Sequence, residues 1–583
     1  MNVLMVAPPR TAEPTRGRRL VWWPYLLAGG LLTQFLLRLL LSAGRTVPTM
    51  VPDETGYLLA GRLLSGGAAG DLSGRTFYQA GYGLLIAPVS WLAPDPAAGY
   101  RVVLGINALL GAGLLLLMFG LMRRMGMTRW PAFVMANAGA LLPGLVYWSQ
   151  FALSDMLLTV IVTGWVLLVH TWLRSGTAWA SVAAGALAAY ASTIHSRGMV
   201  VLIVHLGLVG LVLLRRRPGR GPVTVLVPLA GGLAGWLLNR WVEARIYPAG
   251  SFAFLPYLTD RLTSVSGLAW AGTLGAGKAW YLIVSTWGLG GLGVLVLVSV
   301  AVRRTSAWAD RVTAGAVLVV AGVIAVVMSL ALPDEGTVGN YAYGRYLLPL
   351  TPVLVAAGAA ALSRMPLPVL SRSMLGLAGA AVATLGVVCL YAGDRLATRS
   401  YSNYDFPEMA FLSGEWDGLP LWRGTWMALL LFALVLVARV GFGRRRAVLA
   451  TGCALSVLSI VLIAVVDQRV TDRWDARFGA ATSLRTVGLR PDDRVAMTYP
   501  GMPWQIWTSH AFQVRGGLTP FNPGYRGAPA PGISLIIVPW DRKSDPHRSW
   551  PAARTGWHLA LAQPSYLGGW AAWRPDSWRP SAG

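Results

Sequence analysis

The sequence predicts an all-α polytopic membrane protein that ends in a small α/β or β-rich domain. Of its 583 residues, 55% are hydrophobic and only 13% are charged, whereas about a quarter of the residues in soluble proteins are charged. Apolar stretches of roughly 20 residues, the length that crosses the hydrocarbon core of a bilayer, recur along most of the chain. These observations exclude a soluble enzyme.

About 13 apolar segments are predicted to be transmembrane helices. They follow an N-terminal tail, 1–20, and form a membrane domain over 21–468. Their expected limits are 21–43, 100–122, 130–149, 150–173, 177–194, 197–214, 221–242, 280–302, 310–332, 343–363, 372–393, 421–441 and 446–468. The stretch 82–93 contains Pro88 and is too short to span a bilayer, so we expect it to be re-entrant or interfacial.

The charged residues predict which side of the membrane each loop occupies. Arginine clusters fall in alternate loops, which the positive-inside rule assigns to the cytoplasm together with the N-terminus. Of the 15 acidic residues between Ala43 and Asp467, only Asp310 falls on that side. An odd number of helices then makes 469–583 an extracytoplasmic domain. The formal charge of +25 therefore sets orientation in the lipid bilayer, and we expect no nucleic acid as a partner.

Lysine occurs only at Lys278 and Lys543, so arginine supplies nearly all the positive charge. We interpret this as the codon bias of a GC-rich bacterial genome. Together with the apolar segments, it predicts a multi-pass protein of a bacterial plasma membrane. The two cysteines, Cys389 and Cys453, lie in different apolar segments and are not expected to pair.

The C-terminal domain has a different pattern. Short apolar or alternating runs separated by proline and glycine are typical of strands. We expect strands at 494–499, 511–514, 533–539 and 557–563. Nine of the 26 tryptophans lie here, which fits sugar stacking or, more commonly, core and interface packing.

The strongest candidate for chemistry is the pair Asp53 and Glu54, which follows the first helix in the loop 44–99. Leu58, Leu59 and Leu63 come next at helical spacing, so we expect a short helix on the membrane surface with both acids at its N-terminus. Acids there stabilise the helix dipole. Capping alone could therefore explain one of the two carboxylates.

Three further groups lie on the same predicted face. Asp155 begins an apolar helix, where an ionisable residue is a functional candidate, with a helix cap as the alternative. His195 and Arg197 occupy a tight outer turn, and an outer arginine needs an anionic partner, either a substrate or a lipid headgroup. Tyr343 and Arg345 stand at the start of another helix, where a phosphate could meet the guanidinium and free backbone N–H groups.

Carboxylates for proton abstraction and arginines for an anion are therefore expected together on one face. This combination suits the reaction of a lipid phosphate with an external acceptor. A transporter would more often keep its ionisable residues near the bilayer midplane. Oxygen ligands from Asp53, Glu54 or Asp155 could also hold Mg²⁺ or Mn²⁺, whereas no His/Cys spacing matches a zinc site.

The order of these motifs resembles that of the integral-membrane GT-C glycosyltransferases, in particular the branch of protein O-mannosyltransferases and aminoarabinose-type lipid A transferases. The resemblance covers about residues 20–400. It rests on Asp53-Glu54 with Tyr57, Gly81-Tyr82-Gly83-Leu84-Leu85 with Pro88, Ser154-Asp155, Arg197-Gly198 and Arg345-Tyr346-Leu347-Leu348-Pro349-Leu350. The family often has proline where this chain has Gly83, and the C-terminal domain matches no motif, so the acceptor class stays open.

The resemblance implies a GT-C-like membrane domain that transfers a sugar from a polyprenyl-phosphate donor to an extracytoplasmic glycan, lipid or protein. It implies Asp53 as the general base in a catalytic first outer loop, 44–99, with Glu54 and Asp155 as further site carboxylates. Candidate donor-phosphate ligands are Arg197, Arg345 and His195, and candidate substrate contacts are Tyr57, Tyr82 and Tyr343.

Two alternatives belong to other functional classes. A flippase or exporter of lipid-linked saccharides would need charged residues in the middle of helices, and Arg38 is the main candidate for that. A non-enzymatic scaffold presenting the C-terminal domain would leave the acidic bias of the outer loops unexplained.

Overall fold

The computed structural model describes residues 22–93, 95–216, 221–402, 405–498, 501–524, 529–551, 553 and 556–579. Within these residues nine helices are long and apolar enough to cross a membrane, or ten if one sharply bent pair counts as a single span. A multi-pass helical domain followed by a small sheet is confirmed. The figure of about 13 spans stays a prediction, and the predicted tail 1–20 lies outside the described residues.

The first part of the chain contains two long spans and, between them, the short helices of the first loop. The helices are α1 (Trp23–Ser42), α2 (Asp53–Leu64), α3 (Ala80–Ile86), α4 (Val89–Leu92) and α5 (Pro96–Arg124). The expected short helix at Asp53 is confirmed as α2. Asp95 caps α5 by accepting a hydrogen bond from the N–H of Ala98 at 2.8 Å, and Pro96 occupies the first turn.

The next six helices include one that the sequence predicted wrongly. They are α6 (Arg129–Ala140), α7 (Pro143–Trp148), α8 (Asp155–Ser175), α9 (Ala178–Ile194), α10 (Ser196–Leu214) and α11 (Pro222–Ile246). The predicted span 130–149 is two pieces, because Pro143 cannot continue a helix and disfavours helical backbone at Leu142. The break places α7 beside the start of α8.

A bent pair of helices follows. The elements are α12 (Leu255–Thr263), α13 (Val265–Ser285), α14 (Leu289–Val302), α15 (Trp308–Ala331), the 3₁₀ segments Val338–Tyr341 and Gly344–Leu350, then α16 (Thr351–Arg364) and α17 (Leu367–Ala392). The predicted span 280–302 is wrong, because α13 and α14 meet at 112°. Trp287 and Gly288 both have positive φ at the bend, and glycines with Lys278 reduce the hydropathy of 265–279 below that of a simple span.

The remaining helices lead into the C-terminal domain. They are α18 (Arg395–Thr398), α19 (Pro407–Ser413), α20 (Leu421–Val466), α21 (Asp472–Thr482) and α22 (Trp504–Gln513). Helix α20 contains the predicted span 421–441 and most of the predicted span 446–468, joined across a kink where Gly443 has φ 68°. Cys389 and Cys453 are free thiols.

The C-terminal sheet has five strands in the order β2-β1-β3-β5-β4. They are β1 (Val495–Thr498), β2 (Leu518–Phe521), β3 (Leu535–Trp540), β4 (Trp557–Gln563) and β5 (Gly569–Pro575). Strand β1 is parallel to β2 and β3, and the other pairs are antiparallel. The predicted strand 511–514 is wrong, because α22 extends to Gln513 as the helical connection that parallel β1 and β2 need.

The C-terminal domain packs against the first loop of the membrane domain. Arg62 of α2 donates hydrogen bonds to the backbone oxygens of Ala511 and Val514 at 3.0 and 2.9 Å. The rings of Tyr100 and Phe512 meet edge to face, with centroids 6.0 Å apart. The C-terminal domain therefore contacts both α2, which begins at Asp53, and the first turns of α5.

Candidate active site

Asp53 is the first residue of α2, and its side chain is 34% exposed. Its Oδ1 accepts a hydrogen bond from the hydroxyl of Tyr78 at 2.7 Å. Its Oδ2 accepts one from Nη1 of Arg345 at 3.1 Å. Asp53 is therefore a carboxylate that faces open space while both of its oxygens have partners.

Asp155 is the first residue of α8, and unlike Asp53 it is fully buried. Its Oδ1 accepts from Nη2 of Arg197 at 2.8 Å. Its Oδ2 accepts from Arg345 twice, from Nη2 at 2.7 Å and Nε at 3.1 Å. The guanidinium of Arg345 thus joins the two carboxylates, Asp53 and Asp155, which are 102 positions apart in sequence.

Arg345 lies in the 3₁₀ segment Gly344–Leu350, and its position depends on close packing. A Cβ at Gly344 would lie 1.9 Å from the ring of Tyr281, so only glycine permits this approach. The guanidinium lies over the ring of Trp148, 4.4 Å from its centroid, and Nη1 also donates to the hydroxyl of Tyr343 at 3.2 Å. Aromatic contact and two carboxylates therefore fix the charge of Arg345 in place.

Arg197 is buried in the first turn of α10. Besides Asp155, it donates to the backbone oxygen of Arg345 at 3.1 Å. The Nδ1 of His195 accepts from the N–H of Arg197 at 3.2 Å and caps the helix. Burial, reinforced by the Arg197 charge, holds the pKa of His195 well below its usual range, so this imidazole is neutral at pH 7.

These side chains form a network that we call the carboxylate–arginine cluster: Asp53, Asp155, Arg197 and Arg345. Two negative and two positive charges make its formal charge zero. The structure thus brings together four residues from four separate segments that the sequence singled out. An incoming anion would have to compete with a carboxylate for either arginine.

Glu54 points away from this cluster. It is fully buried, and its Oε1 accepts from the Tyr100 hydroxyl at 2.5 Å and from the N–H of Ala152 at 2.7 Å. Its Oε2 accepts from the N–H groups of Thr49 and Met50 at 2.9 and 2.8 Å. Burial raises the pKa of Glu54 and these hydrogen bonds oppose the rise. Glu54 therefore ties the first loop to the loop before α8.

Of the three tyrosines expected to touch substrate, two are packed inside the fold. The buried Tyr57 accepts a hydrogen bond from the hydroxyl of Ser154 at 2.7 Å, and the buried Tyr82 donates to Asn107 at 3.0 Å. Their rings meet at right angles, with centroids 5.4 Å apart. Only Tyr343 is partly exposed and contacts the cluster directly.

Sequence reasoning missed several residues around the cluster, among them Tyr78, Trp148, Asp405 and Glu408. A small pocket beside Arg345 is lined partly by Trp148 and by Glu408, which accepts a hydrogen bond from the Tyr281 hydroxyl. Burial raises the pKa of Asp405 to about 7 against the opposing charge of Arg345. Tyr78, Asp405 and Glu408 were marked only by membership of the predicted outer loops, and Trp148 lay inside the predicted span 130–149. Their partners are distant in sequence, so no local pattern could single them out.

The cluster does not fit a divalent cation. Asp53 and Asp155 are the only two carboxylates in it, and Arg345 occupies the place between them that a bridging metal would need. Within the described residues no group of three or more His, Cys, Asp or Glu side chains could hold a metal ion. The geometry instead provides positive charge from arginine.

Comparison with known proteins agrees with this architecture. No family model and no curated protein sequence matches the chain. Two solved structures of ArnT from Cupriavidus metallidurans align over almost the whole chain. The structure bound to undecaprenyl phosphate has a TM-score of 0.51 at 17% identity, covering 95% of this chain and 98% of that one. The apo structure has a TM-score of 0.51 at 15% identity, covering 94% and 97%. The chain therefore has the GT-C membrane fold.

Proposed function

We propose that this protein is a membrane glycosyltransferase that moves a sugar from a polyprenyl-phosphate donor to an extracytoplasmic acceptor. The observation that carries the proposal is the position of Arg345, which brings a partly exposed carboxylate and a buried one around a single guanidinium. A likeness in fold to a protein solved with undecaprenyl phosphate supports a lipid-linked donor. The acceptor is a cell-wall glycan, a lipid or a protein.

In the proposed reaction Asp53 removes the proton from an acceptor hydroxyl. The acceptor oxygen then forms a bond to the anomeric carbon of the sugar while the bond from that carbon to the phosphate oxygen breaks. The electron pair of the broken bond leaves with the polyprenyl phosphate. Arg345 and Arg197 stabilise the charge that develops on this leaving group. Asp155 holds both arginines in place and so acts as a positioning residue.

The pairing of Arg345 with Asp53 implies an order of events. While Asp53 accepts hydrogen bonds from both Tyr78 and Arg345, each of its oxygens is engaged, and neither is free to take the proton of an acceptor hydroxyl. A donor phosphate would compete for Arg345 and draw it away from Asp53. We therefore propose that the donor binds first and that its arrival frees Asp53 for the acceptor hydroxyl.

The proposed reaction needs no metal ion, because the arginines supply the charge that Mg²⁺ or Mn²⁺ would otherwise supply. Arg38, the main residue of the flippase alternative, is held by hydrogen bonds within the helix packing, although its buried Nε has no hydrogen-bond partner among the described residues. Its Nη1 donates to Gln34 at 2.5 Å and its Nη2 donates to the backbone oxygen of Ala140 at 2.7 Å.

The test is a transfer assay with purified protein in liposomes, a radiolabelled polyprenyl-phosphate sugar and bacterial envelope fractions as acceptor. We expect label to appear in the acceptor, at the same rate with EDTA as without it. Movement of the labelled donor between leaflets without transfer would overturn the proposal in favour of a flippase. Loss of transfer in EDTA, restored by Mg²⁺ or Mn²⁺, would overturn the metal-independent mechanism.

A further inference from the structure

Lys278 is the single lysine of the membrane domain, and the mechanism above does not use it. It lies in α13, and its side chain is 0% exposed. Its ammonium donates to the hydroxyl of Ser329 at 2.7 Å. Ser329 is close to the end of α15 that leads toward Arg345, so Lys278 lies at the same end of the bundle as the carboxylate–arginine cluster.

The packing of α13 brings Lys278 against the segment that carries Arg345. A Cβ at Gly277 would lie 1.8 Å from the backbone oxygen of Tyr341, so the helix can approach this segment only because residue 277 is glycine. The Lys278 ammonium lies 5.7 Å from the ring centroid of Tyr346. The guanidinium of Arg197 lies 5.7 Å from the same ring. Tyr346 therefore links the buried ammonium to the cluster.

The charge of Lys278 is not balanced within the described part of the chain. The amine contacts a hydroxyl and an aromatic ring, and it forms no ion pair with a described carboxylate. An ammonium buried with only such partners costs several kcal/mol unless an opposite charge joins it. The cluster is formally neutral, and no described carboxylate pairs with Lys278, so an anion that reached this amine would meet no competing negative charge there.

We infer that Lys278 binds the phosphate of the lipid-linked substrate, as a third cation next to Arg197 and Arg345. The inference rests on the proposed function and adds a residue to its donor site. Its physical basis is that each arginine must exchange a carboxylate for the phosphate, whereas Lys278 has no carboxylate to release. Lys278 can therefore pair with the phosphate without first losing a carboxylate partner.

Binding of farnesyl phosphate, a short polyprenyl monophosphate, tests this inference without any need for transfer. We expect the purified wild-type protein to bind farnesyl phosphate and not the uncharged farnesol. Lys278→Met keeps most of the aliphatic length and should weaken farnesyl phosphate binding about tenfold or more, while Lys278→Arg should restore most of it. Lys543→Met removes the other, exposed lysine and is the matched control. Inorganic phosphate distinguishes recognition of a lipid phosphate from recognition of any phosphate.

A purely structural role for Lys278 predicts a different result. In that case Lys278→Met and Ser329→Ala would both lower thermal stability, and farnesyl phosphate would bind to the folded variants as tightly as to wild type. That result would overturn the inference. If the same Lys278→Met protein still transfers sugar normally, the inference fails while the proposed function stands. If wild type binds farnesyl phosphate through Lys278 but never transfers sugar, only the proposed function fails.

A measurement on the unmodified sequence covers the case in which Lys278→Met does not fold. Protein with ¹⁵Nζ-labelled lysine contains only two labelled amines, Lys278 and Lys543. Solid-state ¹⁵N–³¹P distance measurement with bound farnesyl phosphate should show one amine within about 4 Å of the phosphate oxygens, the range of an ion pair. Its chemical shift should be that of the buried amine. No dephasing of that signal would overturn the inference.

Discussion

Arg345 donates to Asp53 and to Asp155, so one guanidinium determines the state of both carboxylates. The sequence predicted that these three residues share one face of the membrane. It could not predict their pairing, because contacts between α2, α8 and the segment 344–350 depend on how distant helices pack. It also could not show that the cluster is neutral, which is what makes donor binding a competition for Arg345.

Asp53 and Glu54 show most clearly where sequence reasoning ends at the residue scale. Both are acids in the first turn of the same helix, and only the resemblance to a known family favoured Asp53 over Glu54 as the base. Successive residues of an α-helix point about 100° apart. This rotation turns Asp53 toward Arg345 and Glu54 into the protein, where four donors surround it.

Substitution of Glu54 by glutamine should therefore destabilise the fold. Each carboxylate oxygen of Glu54 accepts hydrogen bonds from two donors. Glutamine replaces one of these oxygens with an NH₂ group, which cannot accept, so at least one buried donor loses its acceptor. We expect the free energy of unfolding to fall by about 1–3 kcal/mol. Thermal unfolding in detergent, followed by tryptophan fluorescence, measures this. Glu335→Gln, which changes an exposed acid, is the control. Equal melting temperatures for the two variants would contradict the structural role of Glu54.

At the scale of elements, hydropathy predicted the long helices and failed where the backbone turns within the membrane domain. Pro143 and the pair Trp287–Gly288 interrupt apolar sequence without changing its mean hydropathy much. Hydropathy therefore predicts one continuous helix across each break. The same breaks matter for the site. The first places Trp148 under Arg345, and the second orients α13, which carries Lys278.

Helix α2 depends on the C-terminal domain through Arg62. We expect Arg62→Met to lower the rate of sugar transfer by about tenfold to a hundredfold, because a displaced α2 misplaces Asp53. Farnesyl phosphate binding should persist, since none of the proposed phosphate ligands lies on α2. Transfer and binding assays on the same preparation measure both effects. Arg485→Met, at an exposed arginine of the C-terminal domain, is the control and should leave the transfer rate and farnesyl phosphate binding unchanged. If Arg62→Met lost farnesyl phosphate binding together with transfer, α2 would also be needed for donor binding, contrary to this prediction.

At the scale of the whole molecule, charge sidedness located the site before any fold was known. The arginine-rich loops lie at the end of the bundle opposite the carboxylate–arginine cluster, and the C-terminal sheet domain packs at the cluster end. The positive-inside rule then predicts that the cluster and the sheet domain face away from the cytoplasm.

Cysteine labelling tests that orientation. In a variant with Cys389 and Cys453 replaced by serine, Lys543→Cys lies in the sheet domain and Arg304→Cys lies between α14 and α15, and both positions are exposed. A membrane-impermeant maleimide added to cells with a permeabilised outer layer but an intact plasma membrane should label only Lys543→Cys. Labelling of Arg304→Cys alone would show the reverse orientation.

The central claim is that Asp53 is the base of a sugar-transfer reaction and that Arg345 restrains it until donor binds. The most direct measurement is single-turnover transfer by Asp53→Asn, with farnesyl phosphate binding measured on the same protein. Transfer should fall by about 10²–10⁴-fold, and farnesyl phosphate should bind at least as tightly as to wild type, because Arg345 is released from a carboxylate. Asp334→Asn, which removes an exposed acid paired with Arg399, should transfer normally. Transfer by Asp53→Asn at the wild-type rate would contradict the account.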